Sequence, residues 1–215
     1  MAGYLGNIPS AVPLTSADIA DGIITTAKIA DGNITSTKIL DGTIVNADIN
    51  ASAGIVTSKL SGALGITEAD SWRLTADITT TNAVISANLE RDDTSGFGYI
   101  GTGMTQSSGI FTFPSTGIYQ IICYCGWLIT GENETYVRIE TTTNNSTYTI
   151  RTYTYASSSG TLHAKSGSSS CLFDVTSTAD CKVRFQTGSM NASCTLIGDT
   201  TANQTAFFFI RLGDT

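Results

Sequence analysis

The chain has 215 residues, a formal net charge of −7 and only 13% charged residues, against about 25% in an average soluble protein. Its 11 lysines and arginines are scattered, which argues against the basic surface that nucleic-acid binding needs. No apolar run approaches the ~18–20 residues that span a bilayer. Threonine is abundant and proline is rare, a composition that favours β structure. We therefore expect a β-rich protein with neither a nucleic-acid partner nor a membrane-inserted segment.

Residues 1–18 form an irregular, weakly apolar start that contains Pro9 and Pro13. This stretch lacks the basic region and the long apolar region of a secretory signal, so we expect the protein to be made and to assemble in a cytoplasm. It is too short to fold alone and is expected to order by docking on a partner. The candidate contacts are Tyr4, Leu5, Ile8, Val12 and Leu14.

Residues 19–60 carry a repeat of about ten residues. Asp-Gly recurs at 21–22, 31–32 and 41–42, and a large aliphatic residue recurs every five positions. The register slips by one residue near "NASAG" and then resumes. The members of this aliphatic column are Ile19, Ile24, Ile29, Ile34, Ile39, Ile44, Ile49, Ile55 and Leu60.

A period of five fits neither a helix, with 3.6 residues per turn, nor a strand, in which an odd spacing alternates between faces. Tight turns at Asp-Gly resolve the mismatch, because glycine accepts a positive φ and aspartate bonds to the local backbone. The chain would then consist of short extended pieces that present every isoleucine to one side. One such ribbon cannot cover its own apolar edge. We therefore predict an intertwined trimeric stalk with the aliphatic column at its core; the alternative is a disordered linker, which has no reason to keep a fixed aliphatic spacing.

The aspartates of the repeat allow two interpretations. In a trimer, Asp21, Asp31 and Asp41 would form rings of carboxylates that could hold cations through oxygen ligands. Turn chemistry alone also explains Asp-Gly. We favour the turn interpretation and predict no metal site.

From residue 72 to residue 215 the repeat is absent, after a connector at 61–71. Short strand-like runs alternate with clusters of Gly, Asn, Asp and Ser, which is typical of an all-β sandwich or jelly roll with one core. In "QIICYCGWLIT", period 2 places Cys123 and Cys125 on one face with Ile121, Trp127 and Ile129. These cysteines are expected to be small buried hydrophobes rather than disulfide partners, because the count of five is odd.

Three segments of this region carry a resemblance. The stretch "SSGIFTFPSTGIYQIICYCGWL" resembles the signature of the complement globular-head and tumour-necrosis-factor-like jelly roll, with Phe, Pro, Gly and Tyr at the same spacing. The stretches "SSSCLFDVTSTADCKVRFQ" and "TAFFFIRLG" are similar to later strands of that family. The resemblance covers residues 72–213 and implies a compact homotrimer. In that family a collagen-like or coiled stalk stands where this chain has the isoleucine repeat.

The repeat itself, "SADIADGIITTAKIADGNITSTKI" after "YLGNIPSAVPLTS", resembles segments of fibre and appendage proteins of tailed bacteriophages. In those proteins the N-terminal end docks on the virion and a C-terminal knob faces outward. The resemblance therefore implies a structural virion protein, anchored to other virion proteins through residues 1–18. A capsid fibre or decoration protein is favoured by the short stalk. The alternatives are a tail fibre or receptor-binding protein, and a secreted trimeric adhesin or ligand.

Enzymatic chemistry finds little support in the sequence. His163 is the single histidine, so a nucleophilic triad or a zinc site would depend on it alone. Acidic residues that could pair for glycoside cleavage, such as Glu132 and Glu134 in "TGENETY", are typical of a polar hairpin tip. We predict no catalytic residue and no cofactor.

The segment "STYTIRTYTYASSSG" provides the one candidate recognition surface. Alternation along a strand places Arg151, Tyr153 and Tyr155 on one face, where they would form a patch suited to a host-surface glycan or protein. The alternative is that these rings fill the trimer interface or cover the sandwich.

Overall fold

Two units make up the chain in a computed structural model, residues 1–56 and residues 57–215. The structure describes residues 15, 17, 19–50, 52–55, 65–93, 96–131 and 134–215. The predicted anchor contacts Tyr4, Leu5, Ile8, Val12 and Leu14 lie outside these residues, as does Leu60 of the aliphatic column.

Each ten-residue repeat contains two tight turns. The first is at Asp-Gly, where Gly22, Gly32 and Gly42 have φ between +76° and +79°, and where Asn33 N–H donates to the Ala30 carbonyl at 3.1 Å. The second is a single turn of 3-10 helix, found at Thr26–Lys28, Ser36–Lys38 and Asn46–Asp48. The prediction that Asp-Gly supplies a turn through a positive φ is confirmed.

The repeat has no interior of its own. No described side chain between residues 19 and 55 is buried. The described isoleucines of the aliphatic column are between 37% and 56% exposed. Local hydrogen bonds hold the turns, but the apolar side chains remain open to solvent in a single chain. The members of the column with this exposure are Ile19, Ile24, Ile29, Ile34, Ile39, Ile44, Ile49 and Ile55.

The second unit is a sandwich of two antiparallel sheets. Its strands are β1 (Ala69–Leu74), β2 (Leu89–Arg91), β3 (Thr105–Ser107), β4 (Ile110–Thr112), β5 (Gly117–Ile129), β6 (Thr135–Thr142), β7 (Thr149–Ala156), β8 (His163–Val175), β9 (Lys182–Gly188), β10 (Cys194–Leu196) and β11 (Ala206–Gly213). In the six-stranded sheet, one edge of β5 pairs along its whole length with β8, and the other edge pairs with β11 and β10. β11 then pairs with β1, and β1 with β2. The other sheet has the order β3-β4-β9-β6-β7.

Aromatic rings from both sheets fill the space between them. Phe185 of β9 stacks on Phe207 of β11 with ring centroids 3.9 Å apart, and Phe111 of β4 lies 5.1 Å from Phe209. The predicted inward face of β5 is confirmed, because Ile121, Cys123, Cys125, Trp127 and Ile129 are fully buried. All five cysteines are free thiols, and burial raises the pKa of the Cys125 thiol well above its usual value. The all-β sandwich expected from the sequence is therefore confirmed.

The start of the sandwich differs from the prediction. β1 begins at Ala69, within the stretch 61–71 that was predicted to be a connector. The reason is that Asp70 is buried. Its carboxylate accepts hydrogen bonds from Met104 N–H at 2.7 Å and Trp72 Nε1 at 3.0 Å, and it pairs with Arg91 Nε at 3.2 Å. The stretch "EADS" therefore leads into β1, and its buried carboxylate has hydrogen-bond partners, so this stretch is not part of a connector.

Two parts of the sandwich have unusual backbone conformations. In the apolar run 84–90 only an isolated bridge at Val84 and the start of the short β2 form, because Asn88 adopts a φ of +59° that interrupts the extended backbone. β3 has no apolar alternation. It pairs with β4 across Ser108 and Gly109, both with positive φ, which is the conformation required by a two-residue hairpin turn.

A buried ion pair ties the edge of the six-stranded sheet together. Arg73 of β1 is almost fully buried, and its Nη1 lies 3.2 Å from Asp92 Oδ1. Asp92 is fully buried and also accepts from Asn203 Nδ2 at 2.7 Å. Glu90 accepts from Arg73 Nε at 2.9 Å, but its side chain is 44% exposed.

The two carboxylates should differ strongly in their effect on stability. Asp92→Ala would leave a buried guanidinium without its buried partner and should lower the free energy of unfolding by about 3–5 kcal/mol. Glu90→Ala removes a half-exposed partner and should lower it by about 0–1 kcal/mol. Urea unfolding monitored by tryptophan fluorescence measures both. Equal losses for the two variants would contradict the placement of the buried pair.

Candidate functional site

Three tyrosines form a cluster on one face of the five-stranded sheet. Tyr153 and Tyr155 of β7 stack with ring centroids 5.2 Å apart at 18°. Tyr136 of β6, directly opposite Tyr155 in the ladder, meets both rings edge-on at 5.2 and 5.6 Å. We call Tyr136, Tyr153 and Tyr155 the tyrosine cluster. The structure therefore brings two of the three predicted recognition residues together and adds Tyr136.

A glycine in the neighbouring strand makes room for this cluster. Gly188 of β9 lies opposite Tyr136, and a Cβ at this position would be 2.2 Å from Tyr136 Cε2. The Tyr136 ring therefore lies over the backbone of β9, next to the two stacked rings. The sequence signal for Tyr136 was weak, because "TYVRIE" alternates like any strand with one polar face.

Arg151 does not join the tyrosines. The ladder between β6 and β7 shifts register after Ile139, so that Thr152 lies opposite Ile139 while Ile150 lies opposite Glu140. Arg151 is the extra residue of this bulge. Its Nε donates to Thr141 Oγ1 at 2.6 Å, and its guanidinium lies 5.7 Å from the Phe173 ring. The predicted alternation would have placed it beside Tyr153, but a bulge changes the side to which the strand directs its side chains.

A cleft of about 490 Å³ lies beside Tyr155, where the end of β7 meets the start of β8. Farther along the same two strands, the hydroxyls of Thr154 and Ser169 are hydrogen-bonded at 2.7 Å. A Cβ on Gly167 would lie 3.1 Å from Thr154 Cγ2, so β8 passes close to β7 here. We call this the tyrosine cleft. Its lining residues are Glu134, Tyr155, Ala156, Ser157, Lys165 and Ser166.

The charged groups of the tyrosine cleft are available to a ligand. None of the ion pairs between described residues involves Glu134 or Lys165. Partial burial, followed by the nearby Glu134 carboxylate, raises the pKa of the Tyr155 hydroxyl. Tyr155 is therefore a neutral hydroxyl at physiological pH and can both donate and accept a hydrogen bond.

A second surface lies on the face of the six-stranded sheet that points away from the core. Ile122 of β5 lies opposite Phe208 of β11, and Leu172 of β8 lies opposite Gln120. Leu172 is 64% exposed. We call this surface the outer apolar face. Its members are Ile118, Ile122, Tyr124, Leu172, Phe208 and Ile210.

Beside the outer apolar face is a cleft of about 370 Å³, whose walls include Phe208, Ile210, Tyr99 and Ile100. The Arg91 guanidinium lies 4.8 Å from the centre of the Tyr99 ring and 5.1 Å from that of the Trp72 ring. Arg91 therefore contacts both aromatic side chains. An apolar face with such a recess is suited to receive side chains of another protein surface. The sequence carried a signal for it, because "GIYQIICYCGWLI" is apolar at both inward and outward positions, as in strands covered on both faces.

A metal site and a role for the single histidine were also considered from the sequence. No group of three or more His, Cys, Asp or Glu side chains that could hold a metal ion occurs among the described residues. The ring of His163 contacts the Thr161 hydroxyl at 3.5 Å. Within the same residues, no helix is both long enough and apolar enough to cross a membrane.

Comparisons with known proteins bear on the fold. No protein-family model matches the sequence, and no curated protein does. Among solved structures, Eiger TNF from S. frugiperda is similar, with a TM-score of 0.52 and 11% identity over 68% of this chain and 93% of that chain. Murine APRIL at pH 5.0 gives a TM-score of 0.49 at 14% identity, over 67% of this chain and 98% of that chain. The likeness to Eiger confirms that the sandwich is a jelly roll of the tumour-necrosis-factor type, and at this identity it shows the fold alone.

Proposed function

We propose that the chain is a non-enzymatic structural protein of a bacteriophage virion, a homotrimer that projects its jelly-roll knob from the particle on a fibrous stalk. The observation that carries the proposal is the repeat without a core. Its isoleucines recur at a fixed spacing, are all exposed, and are held only by local turns. Such a segment gains stability by assembling with identical chains.

The trimer is supported by both units independently. In the repeat, three chains around one axis would bury rings of isoleucine, each side chain contributing about 1.5–3 kcal/mol when fully buried. In the sandwich, the outer apolar face leaves Leu172 and Tyr124 in solvent in a single chain. Exposed apolar surfaces of this kind are typical of subunit interfaces. The tumour-necrosis-factor type of fold is consistent with association around a three-fold axis.

The virion appendage is supported by the order of segments and by the resemblance of residues 4–39 to phage fibre repeats. A short apolar start, a fibrous spacer and a folded knob follow one another. The short spacer suits a knob close to the capsid shell, so we propose a capsid fibre or decoration protein, with a tail fibre or receptor-binding protein as the second candidate. A secreted trimeric ligand or adhesin is a third, favoured by the fold type alone.

The non-enzymatic assignment is supported by how the described ionisable groups are used. Arg73 and Asp92 form a buried pair, Arg91 pairs with Asp70, and Arg138 and Arg184 both contact Glu140. The Arg138–Glu140 pair lies within β6; the other pairs join neighbouring strands or loops, which is a structural use.

The trimer should be directly measurable. Sedimentation analysis of the purified full chain should give three times the 22.5 kDa of one chain. Leu172→Glu, on the outer apolar face, should place a charge in the interface and raise the concentration at which the trimer dissociates by about tenfold or more. Leu162→Glu is a matched control, because Leu162 is 61% exposed and lies outside that face. A stable wild-type monomer would refute both the stalk and the interface.

The isoleucine column should be the interior of the stalk. Replacing Ile29, Ile34 and Ile39 together by Ser should remove apolar contacts within the repeat and leave the knob folded. Trypsin should then cleave after Lys28 and Lys38, at sites protected in the wild-type trimer, as detected by mass spectrometry of the fragments. Leu40→Ser is the control, because Leu40 is 77% exposed and lies off the column. Unchanged resistance of the triple variant would show that the column is not an interior.

The location on the particle tests the proposed function itself. Immunogold labelling of intact virions should place the protein around the head, and deletion of residues 2–16 should leave a soluble trimer that no longer incorporates into particles. The deletion removes all five predicted anchor contacts, from Tyr4 to Leu14. Label on the tail would favour the second candidate. Particles without label, or normal incorporation of the truncated chain, would contradict the virion anchor.

A further inference from the structure

The tyrosine cleft combines features that the knob does not need for folding. Tyr155 is 53% exposed, so about half of this aromatic side chain is open to a ligand. Glu134 and Lys165 lie at the same cleft outside the ion pairs of the described residues. The volume of about 490 Å³ is within the range of about 300–1,000 Å³ that is typical of small-molecule sites.

The aromatic wall is held in a fixed orientation. Tyr155 is stacked on Tyr153 at 18° and meets the edge of Tyr136. Tyr136 in turn lies over Gly188. Two aromatic contacts and a β ladder therefore fix the direction of the Tyr155 ring before any ligand arrives. A ring that is oriented in advance loses little conformational entropy on binding.

The remaining walls supply hydrogen-bonding groups of both kinds around that ring. Lys165 offers an ammonium donor, Glu134 a carboxylate acceptor, and Ser157 and Ser166 offer hydroxyls that donate and accept. The two strands that carry these walls are joined next to the cleft, because the Thr154 hydroxyl of β7 and the Ser169 hydroxyl of β8 are hydrogen-bonded. A flat apolar wall beside several alternating donors and acceptors fits a molecule with one C–H face and a rim of hydroxyls.

We propose that the tyrosine cleft binds one uncharged pyranose residue of a glycan, with the C–H face of the sugar on Tyr155 and its hydroxyls on Lys165, Glu134 and the two serines. An uncharged sugar is favoured over an acidic one for two reasons. The cleft presents one charge of each sign, and the chain as a whole carries a net charge of −7, which repels polyanions. Sugar hydroxyls can accept a hydrogen bond from the ammonium and donate one to the carboxylate, so both charged groups would keep a hydrogen-bond partner.

The biological meaning of this site rests on the proposed function, since a trimeric knob would present three tyrosine clefts to a host surface. A single cleft on the protein surface is expected to bind one sugar residue weakly. Three linked sites engaging one surface would raise the overall avidity by a factor of about 10²–10⁴ without any further contact. The binding chemistry of one cleft does not depend on the trimer and can be measured separately.

The test is saturation-transfer NMR on the purified full chain with methyl β-D-glucopyranoside, methyl β-D-galactopyranoside and sodium glucuronate as probes. Saturation of the protein aromatic protons should transfer to the ring C–H protons of one or both neutral glycosides, and less to glucuronate. Tyr155→Ala should weaken that binding by about tenfold, the size expected for loss of an aromatic stack. Tyr155→Phe should retain most of it, and Lys165→Met should reduce it. Phe97→Ala, which removes an exposed ring outside the cleft, should have no effect.

Three results would overturn the proposal: no transfer to either neutral glycoside, affinity that survives Tyr155→Ala, or tighter binding of glucuronate than of both neutral probes. Far-ultraviolet circular dichroism of each variant establishes that the sandwich is intact. If the sugar site is refuted, the trimer and the virion location can still be confirmed by their own experiments. Conversely, if the protein binds sugar but is absent from particles, the sugar site is supported and the virion function is refuted.

Discussion

An apolar side chain every five residues cannot be buried by the chain that carries it. A helix would distribute such residues around its axis, and a strand would alternate them between faces. The repeat instead places two tight turns in each decad, one at Asp-Gly and one in a single 3-10 turn, and leaves every described isoleucine half in solvent. Hydrogen bonds that close turns stabilise by little on their own. Burial of these side chains therefore requires a surface outside the repeat, which is the basis of the proposed stalk.

The sandwich differs from the repeat, because it has a complete hydrophobic core of its own. Rings from both sheets pack against one another around Phe111 and Phe185, and the buried Arg73 is matched by the buried Asp92. The knob thus has a core within one chain, whereas no described side chain of the repeat is buried. This contrast suits the proposed function, in which the knob is displayed and the repeat holds the copies together.

Much of this organisation could be predicted from the sequence, and the exceptions have local causes. Turns at Asp-Gly and the inward face around Cys123 follow from short-range rules, a positive φ and a period of two, and both were predicted. The position of Arg151 was not, because one extra residue in β7 depends on how β7 pairs with β6. The connector at 61–71 was predicted to include Asp70, because the burial of Asp70 depends on Arg91 and Met104, which are distant in sequence. The tyrosine cluster likewise required the register that places Tyr136 between Gly188 and Tyr155.

The outer apolar face and the tyrosine cleft of the knob differ in the groups that they expose, and this difference separates their proposed roles. The outer apolar face exposes aliphatic and aromatic groups at Ile122, Leu172 and Phe208, so water is the poorer partner there and another apolar surface the better one. Asp174, opposite Ile118, borders this face. The tyrosine cleft exposes an aromatic ring surrounded by hydroxyls and one charge of each sign, so it favours a ligand that is itself amphipathic and small. A copy of the chain that covered the outer apolar face would bury mainly apolar side chains, whereas an apolar surface placed over the cleft would desolvate Glu134 and Lys165 without compensation. We therefore assign the proposed self-association to the outer apolar face and the proposed polar ligand to the cleft.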